Sequence, residues 1–171
     1  NYNEGIAYDY HSISGYTSDP DVDQLKFMEQ LGYKFLGDVM AVTNASVLGA
    51  DSILGVKYVL SSYAAPGWEK VETIQPGNGK SVYYNPYALP VAFTYDSSNI
   101  LPNPEEKDEF LYQNQLFSYL SGQNVQVNKR IEAEPKADTN TVGYDVKHMD
   151  NPVYGYFKMK DKDGGKVYVD D

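Results

Sequence analysis

The sequence predicts an α+β fold: a mixed, largely antiparallel sheet with about three helices and a β-rich C-terminal half. Three observations lead there. Short β-forming runs alternate with Gly-, Pro- and Asn-rich turn clusters. Seventeen residues are tyrosine, whose ring packs like Phe while its hydroxyl tolerates water, which suits half-exposed strands. Apolar residues also recur at helical spacing in three separated segments, without the regular βαβ alternation of a parallel sheet.

Residues 6–13 predict a first strand, followed by a polar turn over residues 14–18. Asp19 is placed to cap a helix with Pro20 at its first position; Val22, Leu25 and Met28 share a face, and Gly32 supplies the stop. Asn44 is placed to cap a shorter helix carrying Val47, Leu48 and Ile53, weakened at Gly49 by about 1 kcal/mol relative to Ala. Residues 56–60 are apolar on both faces except for Lys57, the pattern of a central strand. Residues 70–74 and 81–84 flank the turn cluster Pro76-Gly77-Asn78-Gly79 and predict a hairpin. Pro86 and Pro90 fix a loop ahead of a strand at residues 91–95.

The third helix has Asn103 as cap, Pro104 at the first position and Glu106 completing a capping box. Phe110, Leu111, Leu116, Phe117 and Leu120 are assigned to its buried face, and Gly122 ends it. Strands are predicted at residues 125–134, 141–147, 154–160 and 166–169, the last two joined across Gly164-Gly165. Residues 1–171 read as a single domain with no repeat and no interior linker.

Composition excludes several function classes. Fourteen Lys and Arg against 24 Asp and Glu give a net charge of −10, which repels a phosphate backbone, so nucleic acid is not an expected partner. The chain has no cysteine, hence no disulfide, thiolate metal site or cysteine nucleophile. His11 and His148 are the only histidines, and neither stands in an HExxH-type spacing, so no metal site and no cofactor is expected. Asp19, Asp21 and Asp23 imitate a calcium loop, but Gln24 and Gln30 stand where that loop needs Gly and Glu. Asp9, His11 and Ser12 hold the residue types of a hydrolytic triad, but from one strand rather than from separate segments. No acidic pair is singled out for glycoside chemistry, and the sequon Asn44-Ala45-Ser46 serves a helix cap. No stretch reaches the roughly 20 apolar residues of a membrane span. The chain begins with Asn1 and shows no signal peptide, which predicts that it was cut from a longer chain or processed.

Three segments carry a more specific likeness: Tyr10-His11-Ser12-Ile13-Ser14-Gly15-Tyr16, then Leu54-Gly55-Val56-Lys57-Tyr58-Val59-Leu60, then Tyr84-Asn85-Pro86-Tyr87-Ala88-Leu89-Pro90-Val91-Ala92-Phe93. Together with Phe110, Gln113, Asn114 and Leu116 in the following helix, their order resembles that of the YfhO-like bacterial membrane proteins, polytopic GT-C type glycosyltransferases. The likeness spans roughly residues 8 to 122.

The resemblance implies an extracytoplasmic domain at the outer face of the cell membrane. It implies that the transmembrane part of the same chain is a partner, and that the parent protein transfers sugar from a polyprenyl-phosphate carrier to an envelope polymer such as Gram-positive teichoic acid. The catalytic acid of such enzymes is expected in a loop near the membrane, so no catalytic residue is carried over to this chain. Asn85, Tyr87, His11 and Tyr16 are the candidate substrate-binding residues; the amide of Asn85 and the phenol of Tyr87 suit polyol recognition. Two other readings stand beside an accessory, acceptor-positioning domain: a stand-alone carbohydrate or cell-wall binding module, and a hydrolase using paired carboxylates.

Overall fold

The computed structural model describes residues 3–13, 15–17, 19–35, 47–77, 79–96, 98–131, 135–138, 141–144, 151 and 153–155. Its helices are α1 (Glu4–Tyr8), α2 (Val22–Gln30), α3 (Leu48–Ile53) and α4 (Glu109–Ser121). The strands are β1 (Tyr58–Ser61), β2 (Glu69–Lys70), β3 (Ser81–Tyr84), β4 (Pro135–Asp138) and β5 (Thr141–Tyr144). One antiparallel sheet has the order β1-β3-β2, and β4 and β5 form a separate antiparallel pair. The α+β class holds.

Local chemistry sets the helix ends. Asp21, rather than Asp19, caps α2, its carboxylate accepting from the Gln24 N–H at 2.9 Å. Gly32 and Gly122 both adopt the left-handed conformation just past their helices, as their sequence positions predict. The cap of α4 is Asp108, which accepts from Phe110 and Leu111 N–H, so the helix starts later than the Asn103-Pro104 signal implies. Residues 103–106 form a turn of their own, with Asn103 Oδ1 accepting from Glu105 N–H. Gln115 holds that turn against α4 by accepting from the Asn103 N–H at 2.8 Å. Asn44 lies outside the described residues; α3 starts after Val47 without a side-chain cap, and the Tyr154 hydroxyl accepts from its Leu48 N–H.

Several predicted strands do not form, each because hydrogen bonds are taken elsewhere. At residues 6–13 the chain opens with α1, since the Asn3 carbonyl accepts from Ile6 and Ala7 while its side-chain amide clasps both backbone groups of Tyr16. Residues 91–95 are irregular, because Leu89 N–H donates to Ser52 O at 2.9 Å and draws the chain toward α3, off the sheet. Residues 125–131 are tied along α4 instead of pairing as a strand. Ser118 Oγ meets both backbone groups of Val125, and the Asn114 side chain meets both backbone groups of Asn128. The predicted strand 70–74 contracts to β2, although the hairpin with β3 stands. Positions 132–134, 145–147, 156–160 and 166–169 lie outside the described residues, and Tyr154 and Gly155 are not in a strand.

The central strand is β3, not β1, which is an edge with Tyr58 and Leu60 exposed. The apolar run at residues 56–60 therefore marks an edge strand, not one covered on both sides.

Met28, Leu31, Tyr33, Ala50, Tyr112, Leu116 and Tyr119 form the core between α2, α3 and α4. The buried face of α4 is rotated from the expected one: Leu111 is exposed, while Tyr112, Gln113, Leu116 and Tyr119 are buried. Gln113 is fully buried, donates to Leu31 O at 3.0 Å and accepts from Asn128 Nδ2 at 2.9 Å. A Cβ on Gly49 would lie 2.8 Å from Gln113 Oε1, so the glycine that weakens α3 is what lets it approach α4. Asp51 and Tyr33 are also buried, joined by a 2.6 Å hydrogen bond from the phenol. Burial above all, with the Asp51 charge beside it, pushes the Tyr33 phenol far above its ordinary value.

Gln113→Ala leaves the Leu31 carbonyl and the Asn128 amide without this partner, and is expected to lower stability by about 2 kcal/mol in urea unfolding. Tyr33 stays protonated in the folded protein, whereas the unfolded chain releases that proton near pH 10. The stability it confers is therefore fully present below about pH 10 and is lost as pH rises above that value. In alkaline unfolding followed by circular dichroism, Tyr33→Phe is expected to be less stable at neutral pH but to lose stability less steeply above about pH 10.

Candidate functional site

The segments 54–60 and 84–93, distant in sequence, meet in one structural unit. Gly55 follows α3 at φ +67°, and a Cβ there would lie 2.8 Å from the Leu89 carbonyl oxygen. Asn85 fastens the contact. Its N–H donates to Lys57 O at 2.9 Å, and its Nδ2 donates to Val56 O at 3.0 Å and to Ser52 Oγ at 3.1 Å. Its Oδ1 accepts from the Tyr87 N–H at 2.9 Å, closing a turn over Pro86. The Ser52 hydroxyl donates in turn to Leu48 O at 2.6 Å, so the clamp reaches back through α3. Asn85 is 1% exposed, and its amide is committed inside the fold.

Tyr87, two residues on, is 64% exposed. The clamp therefore divides the predicted pair, with Asn85 holding the turn and Tyr87 presented by it. His11 is exposed beyond α1, and the Tyr16 backbone is held by Asn3. The hydrogen bonds of the 85–89 turn run instead to α3 and residues 56–57, so the two predicted pairs are positioned by different parts of the fold.

The clamp also sets the register of the sheet. Tyr58 on β1 lies opposite Tyr84 on β3, and Tyr84 lies opposite Glu69 on β2. Directly opposed residues share a face, so Tyr58, Tyr84 and Glu69 form one row across three strands. The two rings stand 5.5 Å apart and tilted by 45°. Around them lies an open groove of about 480 Å³, bounded by Lys57, Lys70, Glu72 and Ile74. The Lys57 ammonium sits 5.9 Å from the Tyr58 ring centre, and Lys70 pairs with Glu72 at 3.2 Å. The groove thus offers aromatic faces, carboxylate acceptors and ammonium donors side by side, with balanced charge in a strongly acidic chain. Among the described residues no group of three or more His, Asp or Glu side chains converges to hold a metal ion.

A model of the bacterial membrane protein YfhO matches residues 1–170. The chain belongs to the YfhO family. The match extends through the C-terminal region, beyond the segments that carry the sequence likeness. No curated protein and no solved structure matches significantly. Among the described residues of this YfhO-family chain, no helix is long and apolar enough to cross a membrane.

The sequence likeness had selected both halves of the clamp without showing that they touch. Tyr58 and Tyr84 stood in the quoted segments but were not chosen as site residues, and Glu69 was missed. Their signal was the opposition of two tyrosines across a hairpin-linked sheet, which requires the register to be known.

Asn85→Ala removes three side-chain hydrogen bonds from a buried position and is expected to cost about 3 kcal/mol in urea unfolding. Gly55→Ala is expected to be at least as damaging, because the left-handed backbone and the Leu89 carbonyl both oppose a Cβ. Tyr87→Ala, at an exposed site, should change the unfolding midpoint little.

Proposed function

We propose that this domain positions a glycan for a membrane-embedded glycosyltransferase, acting outside the cytoplasmic membrane and without catalysing transfer itself. In this reading the enzyme moves sugar from a polyprenyl-phosphate carrier to an envelope polymer such as teichoic acid, and the transmembrane part of the chain holds the reacting groups. The observation that carries it is the row Tyr58–Tyr84–Glu69 in an open groove. Aromatic faces stack on the apolar face of a sugar ring, and a carboxylate accepts from its hydroxyls. Lys57 offers a cation for a phosphodiester in the same groove. Tyr87 extends the phenolic surface from the adjoining turn, with Asn85 as the residue that positions it. Membership of a family of membrane proteins supports placement beside a bilayer.

The same row favours a second reading, a carbohydrate-binding module that works without a transferase. Binding and transfer separate the two. Tyr58→Ala is expected to weaken binding of teichoic acid fragments to the 171-residue chain about tenfold. In cells producing the membrane-embedded protein, it should lower envelope-glycan transfer while leaving the melting temperature of the domain unchanged. Binding without any effect on transfer would favour the module, and transfer at the parental rate with no glycan binding would sink both readings.

A further inference from the structure

Between the clamp and α4, residues 85–104 carry one charged side chain, Asp96, in a chain with 38 charged side chains (24 acidic and 14 basic). The described residues 91–96 and 98–101 belong to no helix or strand. Their apolar side chains are not folded inward. Val91 is 102% exposed, Ile100 is 92% exposed, and Phe93, Tyr95 and Leu101 are also exposed. Yet the segment is held at both ends and near its middle. Asn85 fixes its start, and Gln115 accepts from the Asn103 N–H near its end. Between them, Asn99 donates to Tyr119 O at 2.7 Å, and the Tyr95 ring packs 5.1 Å from that of Tyr119. Asp96 Oδ1 accepts from the Ser98 N–H, forming a turn between the two apolar limbs.

Single exposed apolar residues are ordinary, but a tethered, nearly uncharged run that exposes several of them marks a contact surface. We infer that residues 91–96 and 98–101 dock this domain onto the lipid–water interface of a bilayer, with Val91, Phe93, Ile100 and Leu101 entering the headgroup region. Membership of a family of membrane proteins and the lack of charge favour lipid over an aqueous partner. Irregular backbone is not tolerated in the hydrocarbon layer, which limits the segment to interfacial depth. Tyr87 precedes it and Tyr95 lies within it, and tyrosine prefers that depth. The net charge of −10 makes the contact apolar in origin, so anionic lipid opposes it.

The test uses the 171-residue chain and vesicles of pure phosphatidylcholine or pure phosphatidylglycerol. Co-sedimentation with phosphatidylcholine is expected, weaker co-sedimentation with phosphatidylglycerol at low salt, and partial recovery of the latter as salt screens the repulsion. Val91→Asp combined with Ile100→Asp is expected to weaken phosphatidylcholine binding roughly tenfold or more. Because the chain has no cysteine, a polarity-sensitive dye can also be placed at one chosen site. On Ile100→Cys its emission should shift to the blue with phosphatidylcholine vesicles, and on Glu72→Cys, in the groove, it should not. No vesicle binding, undiminished binding by the double variant, or equal dye response at the two sites would overturn the inference. Self-association or capture by another protein that depends on Val91 and Ile100, without vesicle binding, would assign the segment to a protein partner instead.

Discussion

The side-chain amide of Asn85 is the point on which the site region depends. It satisfies donors and acceptors on three stretches of chain at once: the Val56 carbonyl, the Ser52 hydroxyl and the Tyr87 N–H. Only an amide of this length supplies both two donors and an acceptor from one buried position. With it in place, Gly55 meets the Leu89 carbonyl, β1 lies beside β3, and Tyr58 faces Tyr84. The aromatic row and the exposed Tyr87 follow from one buried hydrogen-bond node. A residue that looks suited to contacting a ligand thus shapes the surface from beneath it.

The core is built on the same principle. Its apolar members are supplemented by Gln113 and by the Tyr33–Asp51 pair, each buried and hydrogen-bonded. Buried polar groups stabilise little in net terms but cost much when left unpaired, so they select one arrangement of helices over close alternatives. Gly49 belongs to this logic, because the loss of helix propensity is the condition for α3 to approach the Gln113 amide. Tyr154 ties the later chain to this arrangement, its hydroxyl accepting from the first N–H of α3 and donating to Pro66 O at 3.1 Å.

Two surfaces of different chemistry leave the clamp in opposite directions along the chain. Toward the N-terminal side, residues of β1, β2, β3 and 71–74 line the mixed aromatic and charged groove; toward the C-terminal side, the described residues 91–96 and 98–101 carry exposed apolar side chains with almost no charge. One surface sets aromatic rings beside both signs of charge, and the other is apolar and nearly uncharged. Asn85 lies between them in the chain, its side chain bonded to Ser52 and Val56 on one side and to Tyr87 on the other.

Family membership and the fold class were legible in the sequence, as were the glycine stops and the hairpin, whereas the caps moved from Asp19 and Asn103 to Asp21 and Asp108. Gly32 and Gly122 end helices because a left-handed residue costs glycine nothing, and the hairpin follows from turn residues between two β-forming runs. What failed was the strand order and those strands whose backbones find other partners. Residues 6–13 and 125–131 have strand-like composition, but Asn3 and the polar residues of α4 offer their backbones other bonds. The order β1-β3-β2, the burial of Asn85 and the row Tyr58–Tyr84–Glu69 were decided by tertiary structure alone. Propensity and capping act over a few residues and are written in local sequence, whereas strand order, register and burial are set by whichever remote groups complete the hydrogen bonds.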